Sequence, residues 1–271
     1  MSEMTENLLR IGNFTSSEIY RLLNTGTRPM TEQELKDRPT NERGTLIDKR
    51  TTIDTDFGAP AMNYIAEKNI ERELCRSIEI DAYSRSMAWG IWMEQRVYDM
   101  LDFKYDKVSK QVVLHPLYKF WAGTTDLVEL NKRIGEIKCY EPKNWYNYTK
   151  AILTQDVNIL RTEFKQEYYQ IISNACIHNV PVGEAISYMP YEAELHEIAS
   201  DLEDYEGADL WKYRYIWEEI MNGDKSKLPY IPAGSKMKNL NRFAFEIPKE
   251  DREYLTERVR KAGELLINVT P

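Results

Sequence analysis

An α/β fold is predicted by three observations. Trp121–Leu130 and Ile134–Cys139 alternate apolar and polar residues on either side of Asn131-Lys132-Arg133, the pattern of paired strands around a tight turn. A segment of helical periodicity over about 161–178 separates that hairpin from an apolar run at 185–189, so the last strand arrives by a helical crossover. A chain of 271 residues with 42% hydrophobic and 11% aromatic residues can bury a full core, which predicts one domain with elaborations rather than a disordered polymer.

The elements follow in order. Phe14-Thr15-Ser16-Ser17-Glu18 predicts a helix reaching about Leu23, with Thr or Ser as its N-cap. Residues 24–56 are rich in Thr, Gly, Pro and charge, and predict a long insertion loop. Residues 61–75 and 87–101 carry helical spacing, the second with Ile91, Glu94, Val97, Tyr98 and Leu101 on one stripe. Strands are predicted near 111–114, 121–130 and 134–139, then the helix at 161–178 and the strand at 185–189. An acidic helical stretch covers 192–221, and the chain closes with a strand at 243–247 and a helix at about 249–266. There is no internal repeat.

Composition narrows the function classes. The polar, acidic start and the lack of a long apolar run predict neither a signal peptide nor a membrane span. Cys75, Cys139 and Cys176 are scattered, without disulfide-framework or zinc spacing, which fits a reducing cytoplasm. A net charge of −8 argues mildly against nucleic acid. A metal-dependent nuclease partly escapes that argument, because its cation supplies positive charge at the cleft. Local basic groups also exist, at Lys132-Arg133, Lys143, Lys150 and Lys236-Met237-Lys238 with Arg242.

The chemistry concentrates in the hairpin. Side chains two apart on a strand share a face, so Glu136 and Lys138 project together while Ile137 points into the core. Asp126 at the other end of the hairpin reaches the same place. Two carboxylates beside a lysine on a rigid sheet suit a hard divalent cation and phosphodiester cleavage. The alternative is a solvated face with an incidental ion pair. Glu94 lies on the stripe of its helix, where burial without a partner is costly, so a cation or base is expected near it.

Gly90…Glu94, Gly123-Thr124-Thr125-Asp126, Glu136-Ile137-Lys138-Cys139 and Tyr169-Gln170 together resemble the ordered motifs of the PD-(D/E)XK nuclease superfamily. The branch most resembled is the phage lambda exonuclease type, or YqaJ-like viral recombinase. Arg10-Ile-Gly-Asn-Phe-Thr-Ser-Ser17-Glu18 is similar to that branch's entry segment, and Glu-Ile-Lys-Cys to its Glu-Leu-Lys-Cys. The second motif departs from the pattern: Thr124-Thr125-Asp126-Leu127 stands where the family often has Ser-Pro-Asp-Gly. The long insertion at 24–56 is a further departure.

The resemblance implies a restriction-endonuclease-like core over about 8–190 with a helical and strand elaboration over 191–271, all one nuclease domain. It implies Mg²⁺, with Mn²⁺ a candidate substitute, held by Asp126, Glu136 and the Ile137 carbonyl, with Glu94 directly or through water. Lys138 orients the attacking water, Gln170 positions Lys138 or the DNA backbone, and Tyr169 supports it. Arg10, Ser17 and Thr124 bind a terminal 5′-phosphate. The implied activity is 5′→3′ degradation of one strand of linear duplex DNA, leaving 3′ overhangs for phage-type recombination in the cytoplasm of a bacterial or phage-infected cell. The implied partners are DNA ends, a single-strand annealing protein and further copies of the chain in a ring trimer. An endonuclease or repair nuclease of the same superfamily, or a catalytically silent DNA-binding or phage structural protein of that fold, are the alternatives.

Overall fold

The computed structural model describes residues 8–78, 84–101 and 111–267. In chain order these form β1 (Phe14–Thr15), a 3₁₀ turn (Ile19–Leu23), β2 (Gly26–Pro29), α1 (Glu32–Lys36), β3 (Thr52–Thr55), α2 (Ala59–Leu74) and α3 (Arg85–Met100). Then come β4 (Val113–Leu114), β5 (Trp121–Gly123), β6 (Leu127–Glu129), β7 (Arg133–Lys138), α4 (Pro142–Thr154), α5 (Val157–Glu163), α6 (Lys165–His178) and β8 (Val182–Tyr188). Helices α7 (Leu195–Glu203) and α8 (Arg214–Met221), strand β9 (Leu240–Glu246) and helix α9 (Lys249–Gly263) complete the described chain.

The main sheet has the order β6-β7-β8-β9. Asn131 adopts the left-handed conformation (φ 59°) that lets β6 turn back on β7, and the pair is antiparallel with Leu127 opposite Gly135. The α4–α6 crossover makes β7 and β8 parallel, and β9 returns antiparallel to β8. The period of two along these strands separates two cores. Val128, Ile134, Ala185, Phe243 and Phe245 pack against α4, α6 and α9. Leu127, Ile137, Cys139, Ile186 and Tyr188 pack against α3, α7 and α8. Each large apolar side chain buried this way contributes roughly 1.5–3 kcal/mol before entropy is counted.

A second, smaller sheet has the order β1-β5-β4, with Phe14 beside Trp121 in parallel register. The predicted strand at 121–130 is therefore two strands in two sheets, broken at Thr124-Thr125-Asp126. Trp121 anchors the small sheet: its indole N–H donates to Ser173 Oγ at 2.7 Å, and that hydroxyl lies 2.8 Å from Ser16 Oγ. Gly123 closes the packing. A Cβ there would lie 2.3 Å from Asn174 Oδ1 and 2.6 Å from both Ile177 Cδ1 and Ser16 Oγ. Overpacking of this kind costs about 1–3 kcal/mol, so Gly123→Ala is expected to lower the melting temperature by several degrees in calorimetry.

Several expectations are corrected. Phe14–Thr15 is a strand, and the 3₁₀ turn that follows has Glu18 at its N-cap with no side-chain cap, so neither Thr15 nor Ser17 caps a helix there. Residues 24–56 are not all loop: β2 and β3 form an antiparallel ribbon, and α1 between them carries a Thr31–Glu34 capping box. Helix α4 lies where no helix was predicted. The acidic stretch at 192–221 is a 3₁₀ turn and two helices joined by irregular chain and a second 3₁₀ turn, rather than one long helix. On α3 the buried residues are Ala88, Trp89, Met93 and Val97, while Ile91 of the predicted stripe is exposed. Among the described residues no helix is long and apolar enough to cross a membrane.

Candidate active site

The register of β6 on β7 builds the site. Leu127 is the first residue of β6 and faces Gly135, so Asp126, just before it, sits alongside Glu136 and Ile137. The Asp126 carboxylate accepts the Ile137 N–H at 2.7 Å, which fixes it at the edge of β7 beyond the end of β6. Ile137 itself is buried in the core behind the strand.

Glu136 and Lys138 emerge together on the other face, toward α6. Lys138 Nζ donates to Glu136 Oε1 at 2.9 Å and to Gln170 Oε1 at 3.1 Å, and Gln170 Nε2 donates to the same Glu136 oxygen. The three side chains close a triangle, with Gln170 orienting both charged partners. Tyr169 packs in the core edge-on to Tyr168. Burial pushes the Glu136 carboxyl above the ordinary carboxylate range, and the neighbouring Asp126 charge adds to it. Burial alone would favour a neutral Lys138, but Glu136 and Asp126 outweigh it and hold the ammonium charged.

Glu136 Oε2 is fully buried and has no hydrogen-bond partner. Such an atom is costly unless something else meets it. A hard cation fits: it would satisfy that oxygen and relieve the repulsion between Asp126 and Glu136. Among the described residues no three acidic, histidine or cysteine side chains stand close enough together to hold a metal ion. Asp126 and Glu136 are close enough for the charge of one to bear on the other, a pair of acidic donors at the start of the site. Burial pushes both Glu136 and Cys139 up, and the charge of Glu94, partly buried on α3, adds to each.

The candidate phosphate residues are partly assembled. Arg10 Nη2 donates to Thr124 Oγ1 at 2.6 Å across 114 residues of sequence. The Thr124 carbonyl is held by Asn174 Nδ2 at 3.1 Å, one helical turn along α6 from Gln170. Ser17 is exposed; its hydroxyl lies 3.4 Å from Thr15 Oγ1, and its carbonyl accepts from Gln166 one turn the other way. Helix α6 thus presents Gln166, Gln170 and Asn174 to Ser17, the charged pair and Thr124 in turn.

Sequence reasoning missed the supports of Arg10. Gly12 takes a left-handed backbone (φ 66°), its N–H donates to the buried carboxylate of Glu71 at 2.9 Å, and its carbonyl accepts from Arg72 Nε at 2.7 Å. Asn13 N–H then closes the turn on the Arg10 carbonyl at 3.1 Å. It also missed Asn174 and the Tyr140–Glu167 hydrogen bond (2.5 Å) that borders the site. These pairings join positions tens of residues apart, and no local spacing signals them.

No protein-family model and no curated protein matches the chain. Solved structures do. The alkaline exonuclease LHK-Exo from Laribacter hongkongensis superposes with a TM-score of 0.54 at 15% identity, over 97% of this chain and 92% of that one. LHK-Exo in complex with dAMP gives the same TM-score and coverage at 14% identity. A phage related exonuclease from Haemophilus somnus gives a TM-score of 0.49 at 11% identity, over 93% and 92% of the two chains. The chain shares the fold of the alkaline exonuclease over nearly its whole length.

Proposed function

We propose that this protein is a Mg²⁺-dependent deoxyribonuclease acting 5′→3′ on the ends of linear duplex DNA and leaving 3′ overhangs. The observation that carries the reading is the closed Glu136–Lys138–Gln170 triangle beside Asp126, with Glu136 Oε2 buried and unmatched. The shared fold and the sequence motifs support it. Asp126, Glu136 and the Ile137 carbonyl would hold the cation, with Glu94 directly or through water. When bound, the cation supplies positive charge to the scissile phosphate and the leaving oxygen. Lys138, charged and fixed by two acceptors, orients the attacking water, and Gln170 keeps both the lysine and Glu136 in place. The reading also takes Mn²⁺ as a substitute, a single-strand annealing protein and a ring trimer as partners, and the cytoplasm as the location.

The test is degradation of linear against covalently closed circular duplex. Loss of the linear form alone, abolished by EDTA and restored by Mg²⁺, is expected. Cleavage of the circle would point instead to an endonuclease, and no cleavage of either would overturn the reading.

A terminal-phosphate preference follows from Arg10 and Thr124. A guanidinium already hydrogen-bonded to a threonine hydroxyl offers further donors to a phosphate, a charge-assisted contact stronger than a neutral one. Wild type is expected to degrade a 5′-phosphorylated duplex faster than a 5′-hydroxyl one. Arg10→Ala is expected to lose most of that difference while still degrading the hydroxyl end slowly. Equal wild-type rates on both ends would remove the pocket and leave the metal-site argument standing.

A further inference from the structure

The segment that carries Arg10 and Ser17 is docked on one face of α2. Tyr64, Lys68 and Glu71 recur at i, i+4 and i+7 on that helix, and all three are buried. The Tyr64 hydroxyl accepts the Thr15 N–H at 2.8 Å, and Glu67 beside it takes both terminal guanidinium nitrogens of Arg21, at 2.7 and 2.8 Å. At the far end of the face, Glu71 Oε2 accepts the Gly12 N–H at 2.9 Å and the Lys68 ammonium at 3.0 Å, and Glu71 Oε1 accepts the Ile78 N–H at 3.4 Å. Arg72 completes the grip, donating to the Gly12 carbonyl at 2.7 Å and to Asn13 Oδ1 at 3.3 Å.

Glu71 and Lys68 stand out because both are charged and almost wholly buried, 2% and 3% exposed. A buried ion pair is a costly way to hold segments together, since apolar side chains of similar volume are often as stable or more so. An apolar side chain, however, cannot accept an N–H. Gly12 is buried and left-handed (φ 66°), so its N–H needs an acceptor inside the protein. Glu71 supplies it, and Lys68 balances the charge. Arg10 lies two residues earlier, and its carbonyl accepts the Asn13 N–H at 3.1 Å, so the same turn fixes its backbone. Its guanidinium then meets Thr124 Oγ1 at 2.6 Å. A short constrained turn therefore joins the buried carboxylate to the Arg10 guanidinium.

We propose that Glu71 is a positioning residue for the terminal-phosphate contact: it fixes the Gly12 turn so that Arg10 stands ready at Thr124, and so sets the preference for a phosphorylated 5′ end without touching DNA. The role rests on the proposed phosphate contact of Arg10 and Thr124. An arginine on a loosely held segment would lose backbone and side-chain freedom on meeting the phosphate. Held in place beforehand it loses less, which strengthens the contact.

The test is the ratio of kcat/KM on 5′-phosphorylated and 5′-hydroxyl linear duplexes, measured with the full chain in Mg²⁺ beside a thermal melt. K68M/E71M removes both charges together at similar volume, and with them the acceptor for the Gly12 N–H. It is expected to fold, to keep the hydroxyl-end rate, and to lose most of the wild-type ratio, about tenfold for one hydrogen bond to a charged group. K68M/E71Q removes the same charges but keeps an amide oxygen for the Gly12 N–H, and is expected to keep the ratio. Should K68M/E71M fail to fold, Gly12→Ala is read instead: its Cβ would collide with Arg72 Cγ in a left-handed backbone, and the same loss of ratio is expected. A folded K68M/E71M with the wild-type ratio, or one that slows equally on both ends, overturns the positioning role and leaves the pocket to Arg10 and Thr124. Loss of the ratio in K68M/E71Q as well also overturns it, since the hydrogen bond is then not the cause. Equal wild-type rates on the two ends overturn the pocket and the positioning role together, while leaving the degradation of linear duplex untouched.

Discussion

Asp126→Asn and Glu136→Gln are each expected to lower the rate of DNA degradation by about 10³-fold or more, since a bound cation supplies several kcal/mol of charge stabilisation and each 1.36 kcal/mol is tenfold in rate. The amides are chosen for what the structure shows around each group. In D126N the amide oxygen would still accept from the Ile137 N–H, and in E136Q it would still accept from Lys138 and Gln170. Truncating Glu136 to alanine would instead leave the Lys138 ammonium in a buried site without its carboxylate, which is destabilising by itself. D126N also removes the charge that opposes ionisation of Glu136. Its melting temperature without metal is therefore expected to hold or rise, and differential scanning calorimetry beside the nuclease assay separates lost chemistry from lost fold. Either amide variant with wild-type activity would sink the metal-pair assignment.

The second large effect is at the lysine. Lys138→Met keeps most of the side-chain volume and removes the ammonium. The rate at saturating Mg²⁺ is expected to drop ~10²–10⁴-fold, the usual value of a positioned acid–base or orienting group. Mg²⁺ affinity, followed by isothermal titration calorimetry, is expected to persist, because the proposed ligands are carboxylates and a carbonyl. A collapse of metal affinity with a normal rate at saturation would assign the lysine to holding Glu136 instead.

The hairpin and the parallel crossover were legible because their physics is local. Ile134, Glu136 and Lys138 alternate with Gly135, Ile137 and Cys139, and one face had to be core. The α4 helix was also signalled, by Pro142 at its first turn and by Trp145, Tyr148 and Ile152 at helical spacing; its aromatic, amide-rich sequence hid it. The β2–β3 ribbon gave no such sign. Its strands, Gly26–Pro29 and Thr52–Thr55, are largely exposed, so no apolar alternation marks them. The break at Thr124 was invisible for another reason: β5 pairs with β1, which lies over a hundred residues away in sequence. At the site, the residue types were readable, but the closed triangle with Gln170 and the clamp on Gly12 needed the fold.

The break between β5 and β6 has a metric consequence. Thr124, bonded to Arg10, and Asp126, bonded to the β7 backbone, are two positions apart, with Thr125 alone between them, and the two ends of this short piece are tied to different sheets. Two residues span at most about 7 Å. On the proposal that Arg10 and Thr124 take a terminal 5′-phosphate and Asp126 a cation, this short strut would be a ruler that sets the spacing between the anchored end of the strand and the bond that is broken. The step length then belongs to the protein backbone and is indifferent to the base. With the 3′-oxygen of the terminal nucleotide as leaving group, each cut would create a new 5′-phosphate, the same chemical end that Arg10 and Thr124 are proposed to hold. The strand can then be shortened by the same increment at every cycle.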